Sequence, residues 1–425
     1  MLDPSRDHPL RRLLNDEVHA RPPLRCQSPA RITHFALMTG EDRQDARDPL
    51  AVLCELAGKR PPSPEARYAL VEFGPVTVKW ERHTEFVSVT IVAPGDGGDG
   101  WSALTPELAQ WAYSLPGVRL VAVHLRLEPD SDIPHTAESL AAHFSGEVVG
   151  SYVNGKDALV WTDFRIARDG YTRLLVRDMK LTPPRAGRLV QRLLEIETYR
   201  MSALLALPMA RETAAQLGAM ERKLAEIVVS TSSDKPSDED AVLLDRLTRL
   251  AAEAEGQLNL NRYRFNASAA YAELVERRIQ ELREDRIEGL QRIGVFLDRR
   301  FRPAMRTCET VARRQADLVD GIARASSMLR TRVDVQLAAQ NADLLRSMDE
   351  RTGAQLRMQE AVEGLSIFAI SYYVIGLIKY LLEGVGTFGL HLEKPGTALA
   401  VPLVLGFAWY SVRRLRRKIR KKNRA

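Results

Sequence analysis

The stretch that decides how this chain is built is Val362–Leu382, VEGLSIFAISYYVIGLIKYLL, which carries no charge between Gly364 and Ile378. Twenty-one residues in a helix rise roughly 30 Å, the thickness of a bilayer's hydrocarbon core. Lys379 stands near the end of the run, where its aliphatic stem lets the ammonium reach the headgroups. A second apolar segment, Gly396–Val412 (GTALAVPLVLGFAWYSV), ends in Trp409 and Tyr410, as a membrane–water boundary favours. Both segments are expected to cross a membrane, at 362–382 and 396–412, with an outer loop over 383–397. Such a hairpin leaves both chain ends on one side.

The charge pattern supplies the orientation. The net charge is +6, yet residues 413–424 alone hold nine basic residues and no acidic one. Arg413, Arg414, Arg416, Arg417 and Lys418 head this tail. The positive-inside rule places the 413–425 tail in the cytoplasm against anionic lipid headgroups. Arg346, Arg351 and Arg357, just before the first span, agree. The N-terminus, MLDPSRDHPLRR, has no apolar signal core. The expected address is the bacterial inner membrane, multi-pass, with both termini cytoplasmic. A tail is not the broad basic face of a nucleic-acid binder, so no nucleic-acid partner is expected.

Upstream, no proline interrupts residues 304–394, and residues 304–361 read as one long stalk helix. Leu318 and Leu329, Val333 and Leu344, and Leu337 and Met348 are pairs eleven residues apart, a spacing that keeps apolar residues on one face of a straight helix. Such a helix packs on earlier helices, on copies of itself, or both. Residues 185–303 supply the earlier helices, at Ala186–Leu207, Met209–Val229, Glu239–Glu255 and Leu258–Phe301, with a polar linker over 231–240 and a break or kink at Pro208.

Residues 1–180 have a different texture. Helical signals at Pro9–Val18, Pro49–Ala57 and Pro106–Ser114 are interleaved with strand-like runs. These runs are Ile32–Met38, Tyr68–Phe73, Val76–Trp80, Phe86–Val92, Val118–Leu127, Glu147–Val153, Ala158–Asp163 and Thr172–Val176. Val76, Val78 and Trp80 alternate with Thr77, Lys79 and Glu81, which reads as a half-exposed strand. Asn154-Gly155 and Arg168-Asp169-Gly170 mark turns. The expectation is a cytoplasmic α+β domain or α/β layer, its antiparallel or mixed sheet covered by helices on one face.

Chemistry is sparse. Cys26, Cys54 and Cys308 are far apart and read as free thiols. The eight histidines form no HExxH or HxH pair, and Gly95–Gly100 lacks the Lys-Ser/Thr of a phosphate loop. No enzyme and no bound cofactor are expected, although a divalent cation as substrate or regulator stays open. Two polar clusters exceed what folding needs: residues 15–23 with Glu17, His19 and Arg21, and residues 79–86 with Glu81 and His83. Brought together, they make either a charged pocket for an anion or metabolite, or an ion-pair network fastening the N-terminal helix to the sheet. Ser366, Ile370, Tyr373, Leu377, Tyr380 and Gly384 fall on one face of the first span, suited to lining a pore or to packing helices. Glu383, His391 and Glu393 in the outer loop either concentrate cations at a mouth or are simply solvated.

The two clusters, with Leu189–Arg200 (LVQRLLEIETYR) and Val362–Ser366 (VEGLS), resemble a bacterial family of uncharacterised membrane-anchored proteins, a domain of unknown function. In its order of parts, and in Gln340–Met348 (QNADLLRSM) before the first span, the chain is also distantly similar to CorA-type divalent-metal transporters. That resemblance implies a homo-oligomer of five copies with the first span lining a pore. The Gly-Met-Asn filter of those transporters is absent; Tyr380–Gly386 reads YLLEGVG. The two functional expectations are therefore a CorA-like assembly passing cations, and a membrane-anchored sensor or scaffold whose cytoplasmic domain binds a partner.

Overall fold

The computed structural model describes residues 7–11, 14–15, 24–39, 48–63, 66–98, 100–231, 239–386, 401–404, 406–407, 409–410 and 414. Two compact units emerge. One comprises Met1–Ser232 with Leu243–Ser327, the other Ser233–Val242 with Met328–Ala425.

The first unit is organised by a nine-stranded mixed sheet. Its strands are β1 (Ala30–Met38), β2 (Tyr68–Phe73), β3 (Val76–Arg82), β4 (Phe86–Pro94), β5 (Val118–Glu128), β6 (Val149–Val153), β7 (Ala158–Ile166), β8 (Thr172–Asp178) and β9 (Asp285–Arg286). They lie in the order β2-β3-β4-β1-β5-β8-β7-β6-β9. Only β5 and β8 pair in parallel among these strands; the other neighbours are antiparallel. All eight runs read as strands form strands. Asn154 and Gly155 turn the β6–β7 hairpin with φ of 54° and 74°, as the marked turn requires.

The helices are α1 (Pro49–Leu56), α2 (Pro106–Tyr113), α3 (Ala137–Ala141), α4 (Pro183–Leu204), α5 (Ala206–Ser230), α6 (Asp240–Leu282) and α7 (Ile293–Gly386). Proline opens α1, α2 and α4, where its missing N–H costs nothing. Half of the expected helix over Pro9–Val18 lies outside the described residues; Arg11, Leu14 and Asn15 are helical.

Strand alternation sends Ile32 and Ala36 of β1 and Val123 and Leu125 of β5 toward Leu189, Val190, Leu193 and Leu194 of α4. Phe35, Val78, Trp80, Val89 and Ile91 on the opposite face pack on Leu50 and Leu53 of α1 and on Leu108 and Trp111 of α2. Helices thus cover both faces, not one. The same packing corrects the reading of β3 as half exposed, because α4 also covers its polar side.

Three helix boundaries differ from expectation. The break falls at Leu205, and Pro208 sits in the first turn of α5, where no intrahelical N–H is needed. Glu239–Glu255 and the start of Leu258–Phe301 merge into the single helix α6. Gly256 is tolerated there because Leu247, Leu250, Ala254, Phe265 and Val275 supply buried positions on both sides of it. That expected helix then ends early: β9 and a turn intervene before α7, which passes through Pro303.

Close approach is most demanding at Gly187 in α4, where a Cβ would overlap the carbonyl oxygen of Leu24. Gly187→Ala is expected to destabilise the first unit by about 3 kcal/mol or more, measured by urea unfolding of the purified chain. A loss under about 1 kcal/mol would show that this contact is easily relaxed.

Candidate functional site

The sheet builds a polar patch from local register. In β3, Lys79 and Glu81 are two residues apart and share a face. Lys79 lies opposite Thr90 of β4, Thr90 opposite His34 of β1, and Glu81 opposite Ser88. A row of polar side chains therefore crosses three strands within an otherwise apolar sheet. Gln191, Leu194, Glu195, Thr198 and Tyr199, at helical spacing on α4, close over it. Together with His83, Phe86 and Leu24 they line a partly open cavity of about 60 Å³.

Lys79 is only 2% exposed, and its Nζ stands 3.0 Å from Oε1 of Glu81. The ring of Tyr68 lies 5.7 Å from the same ammonium, adding a cation–π contact. His34 is fully enclosed, with Nδ1 2.8 Å from Oγ1 of Thr90 and Nε2 3.1 Å from Oγ1 of Thr198. Thr198 donates its hydroxyl to the Leu194 carbonyl at 2.8 Å, so it accepts from His34 Nε2–H, and Nδ1 accepts from Thr90. Burial first, then the nearby Lys79 and His83, push His34 from 6.5 down to about 3, which keeps it neutral. His83 stacks on Phe86 at 4.3 Å and has Nε2 3.4 Å from Oγ of Ser88.

Both walls of the cavity are fastened to α6. Arg264, Tyr271 and Arg278 recur every seven residues along that helix. Arg264 pairs with the buried Glu85 in the β3–β4 bend. Tyr271 stacks on Tyr199 at 5.7 Å and meets Phe86 at 6.3 Å. Arg278 pairs with Glu195, whose other oxygen accepts from Gln191 at 2.7 Å. Burial alone would lower Arg278, but the carboxylates of Glu195 and Glu281 hold it above the usual guanidinium range.

Of the anticipated cytoplasmic cluster, Glu81 and His83 meet at this cavity. Glu17, His19 and Arg21 lie outside the described residues. Lys79 was part of the quoted run but not singled out, and His34, Gln191, Glu195 and Thr198 were missed. A lone histidine in the apolar run ITHFAL, and polar residues stepping 191, 195, 198 through an amphipathic helix, were the signals present.

Among the described residues no group of three or more His, Cys, Asp or Glu is placed to hold a metal ion. Cys26, Cys54 and Cys308 are free and buried, and burial lifts the Cys26 thiol to about 12.

In the second unit one helix among the described residues is long and apolar enough to cross a membrane, and only 6% of its apolar window is buried. Ile370, Tyr373, Leu377 and Tyr380 are all well exposed on it. The Ser366 hydroxyl donates to the Val362 carbonyl at 2.9 Å. Glu383 and Gly384 fall in the last turn of α7. Ile370 also joins Ile367, Ser371 and Val374 in an apolar groove of about 860 Å³, whose opposite wall includes Leu403 and Phe407. Arg414 is helical and exposed. His391, Glu393, Arg413, Arg416, Arg417 and Lys418 lie outside the described residues.

A family profile matches residues 6–419, nearly the whole chain. The chain belongs to the DUF3422 family. Its members are described as proteins of unknown function, in keeping with the uncharacterised family expected from the sequence. Comparison with curated proteins gave no match. Within this DUF3422 chain, the cavity between β3, β4, β1 and α4 is the most built polar site among the described residues.

Two outcomes follow from its geometry. Removing Arg264 strands the buried Glu85 carboxylate, so Arg264→Met is expected to cost about 3–5 kcal/mol at neutral pH in chemical denaturation. His34 at about 3 and His124 at about 4, both lowered first by burial, lie below the ordinary 6.5 of an unfolded chain. The unfolded state therefore binds more protons below that pH, and stability present at pH 7 is lost as pH falls from about 6.5 toward 4. His34→Gln should flatten this slope by close to one proton, about 1.4 kcal/mol per pH unit.

Proposed function

We propose that the protein is a multi-pass homo-oligomer of the bacterial inner membrane. In this reading α7 helices from several copies enclose a path for cations, and the sheet domain responds from the cytoplasmic side. The observation that carries it is the exposed apolar window of α7, only 6% buried, which in water would be an unprotected hydrophobic surface. Exposure alone would suit lipid on every side. Tyr373, midway along the span, argues for more, since it leaves three-quarters of its surface open and a tyrosine hydroxyl has no water partner in hydrocarbon. Water in a lumen or a second copy of the helix satisfies it.

The order of parts, similar to CorA-type transporters, supports this reading and suggests five copies. The missing Gly-Met-Asn filter leaves the identity of the ion to experiment. The nine-residue basic tail supports a cytoplasmic C-terminus held at anionic headgroups.

A second reading is a membrane-anchored sensor or scaffold without transport. The observation favouring it is the Lys79–His34 cavity, a polar structure that a simple anchor does not need.

Light scattering of the detergent-purified full chain, followed by liposome flux of Mg²⁺, Co²⁺, Ni²⁺, Zn²⁺ and monovalent cations, separates the two. The transport reading expects a stable oligomer, and flux altered at least tenfold by Tyr373→Phe or Tyr380→Ala. A monomer or dimer, or no flux of any of these ions, would sink it in favour of the anchored sensor. A reporter fused after Ala425 should be active only in its cytoplasmic form.

A further inference from the structure

We propose that the cavity bounded by Lys79, Glu81, His34, His83, Ser88 and Gln191 is a binding site for a small inorganic oxyanion of the size of bicarbonate or phosphate. Nothing in this inference depends on whether the chain transports ions.

Size comes first. The cavity measures about 60 Å³. A water needs roughly 10–15 Å³ of such space, so the room suits about four to six non-hydrogen atoms.

Charge selects among small occupants. Lys79 brings a buried ammonium whose desolvation is worth several kcal/mol, with Glu81 at 3.0 Å and the Tyr68 ring as its neighbours. Two carboxylates line the cavity, but Glu195 is spent elsewhere: Gln191 holds one of its oxygens and Arg278 the other. Among the described residues Glu81 is then the cavity carboxylate left beside the Lys79 ammonium, and His34 is neutral. A metal cation would meet the Lys79 ammonium, and the described residues offer it no set of three ligands.

Hydrogen bonding fits the same occupant. The cavity wall carries the ammonium, the second N–H of the Gln191 amide, and the Ser88 hydroxyl with its His83 neighbour. Oxygens of a tri- or tetra-oxo anion accept from several directions at once, which neither chloride nor a carboxylate's two oxygens match. Glu81 is more exposed than Lys79, 12% against 2%, so it can give way to an entering anion while the lysine stays in place.

The test uses the full chain in detergent, with sodium phosphate and sodium bicarbonate as probes and chloride at equal ionic strength as the control. Thermal unfolding and isothermal calorimetry are read for the wild type, Lys79→Met and Glu81→Gln. Phosphate or bicarbonate is expected to raise the wild-type midpoint in a saturable manner, with Kd weakened at least tenfold in Lys79→Met. In Glu81→Gln the anion should bind several-fold more tightly, because a competing carboxylate is gone. This second variant keeps the test decisive should Lys79→Met fail to fold. No saturable shift with either anion overturns the proposal, as does a shift unchanged in Lys79→Met or weakened in Glu81→Gln.

Discussion

A single line of side chains on α6 holds the first unit's polar heart in place. Arg264, Tyr271 and Arg278 reach, in turn, the β3–β4 bend, the aromatic pair Phe86–Tyr199, and the polar face of α4. Without them the sheet and α4 would still bury their aliphatic residues. The buried Glu85 carboxylate, however, would lose its ion pair, and Glu195 would be left with the Gln191 amide alone among the contacts described. Buried ion pairs of this kind add little net stability, because desolvation offsets attraction. Their effect is directional: only one placement of α6 satisfies both acids.

The same helix leads into the second joint of the unit. After Leu282 the chain forms β9 against β6, and Glu284 turns back toward the start of α7. Its carboxylate accepts from Ser151 Oγ at 2.8 Å and from the Gly294 amide at 2.9 Å, while Ser151 Oγ accepts from the Ile293 amide at 3.2 Å. Burial raises Glu284 above the ordinary carboxylate range, against the pull of these hydrogen bonds. A negative charge at a helix N-terminus is stabilising, and here it also ties the first turn of the long helix to the sheet.

The strands were legible because each carries its own alternation and turn residues. Tyr68–Phe73, for instance, matches its expected bounds. Layering was not legible: β3 shows a polar side in sequence, and only tertiary packing reveals that Lys79 and Glu81 face a helix rather than water. β9 is two residues of ordinary charge, Asp285 and Arg286, within a helix-like run, and its strand character comes wholly from pairing with β6. The candidate site was half visible for the same reason. Glu81 and His83 stand in one polar run, whereas His34 and Thr198 are separated from it by dozens of residues and meet it only through register and helix packing.

The edge strand β6 has a temporal side. Its covering partner β9 begins 132 residues after β6 ends, from Val153 to Asp285. At about 5–20 residues per second, a ribosome needs roughly 7 to 26 s to supply it. During that interval the nascent sheet has an open rim of unpaired amides and carbonyls, the feature through which β-proteins aggregate. The rim is short, five residues, and contains Gly150 and Ser151. A poor template of this kind lets the polypeptide finish α4, α5 and α6 before its sheet is closed.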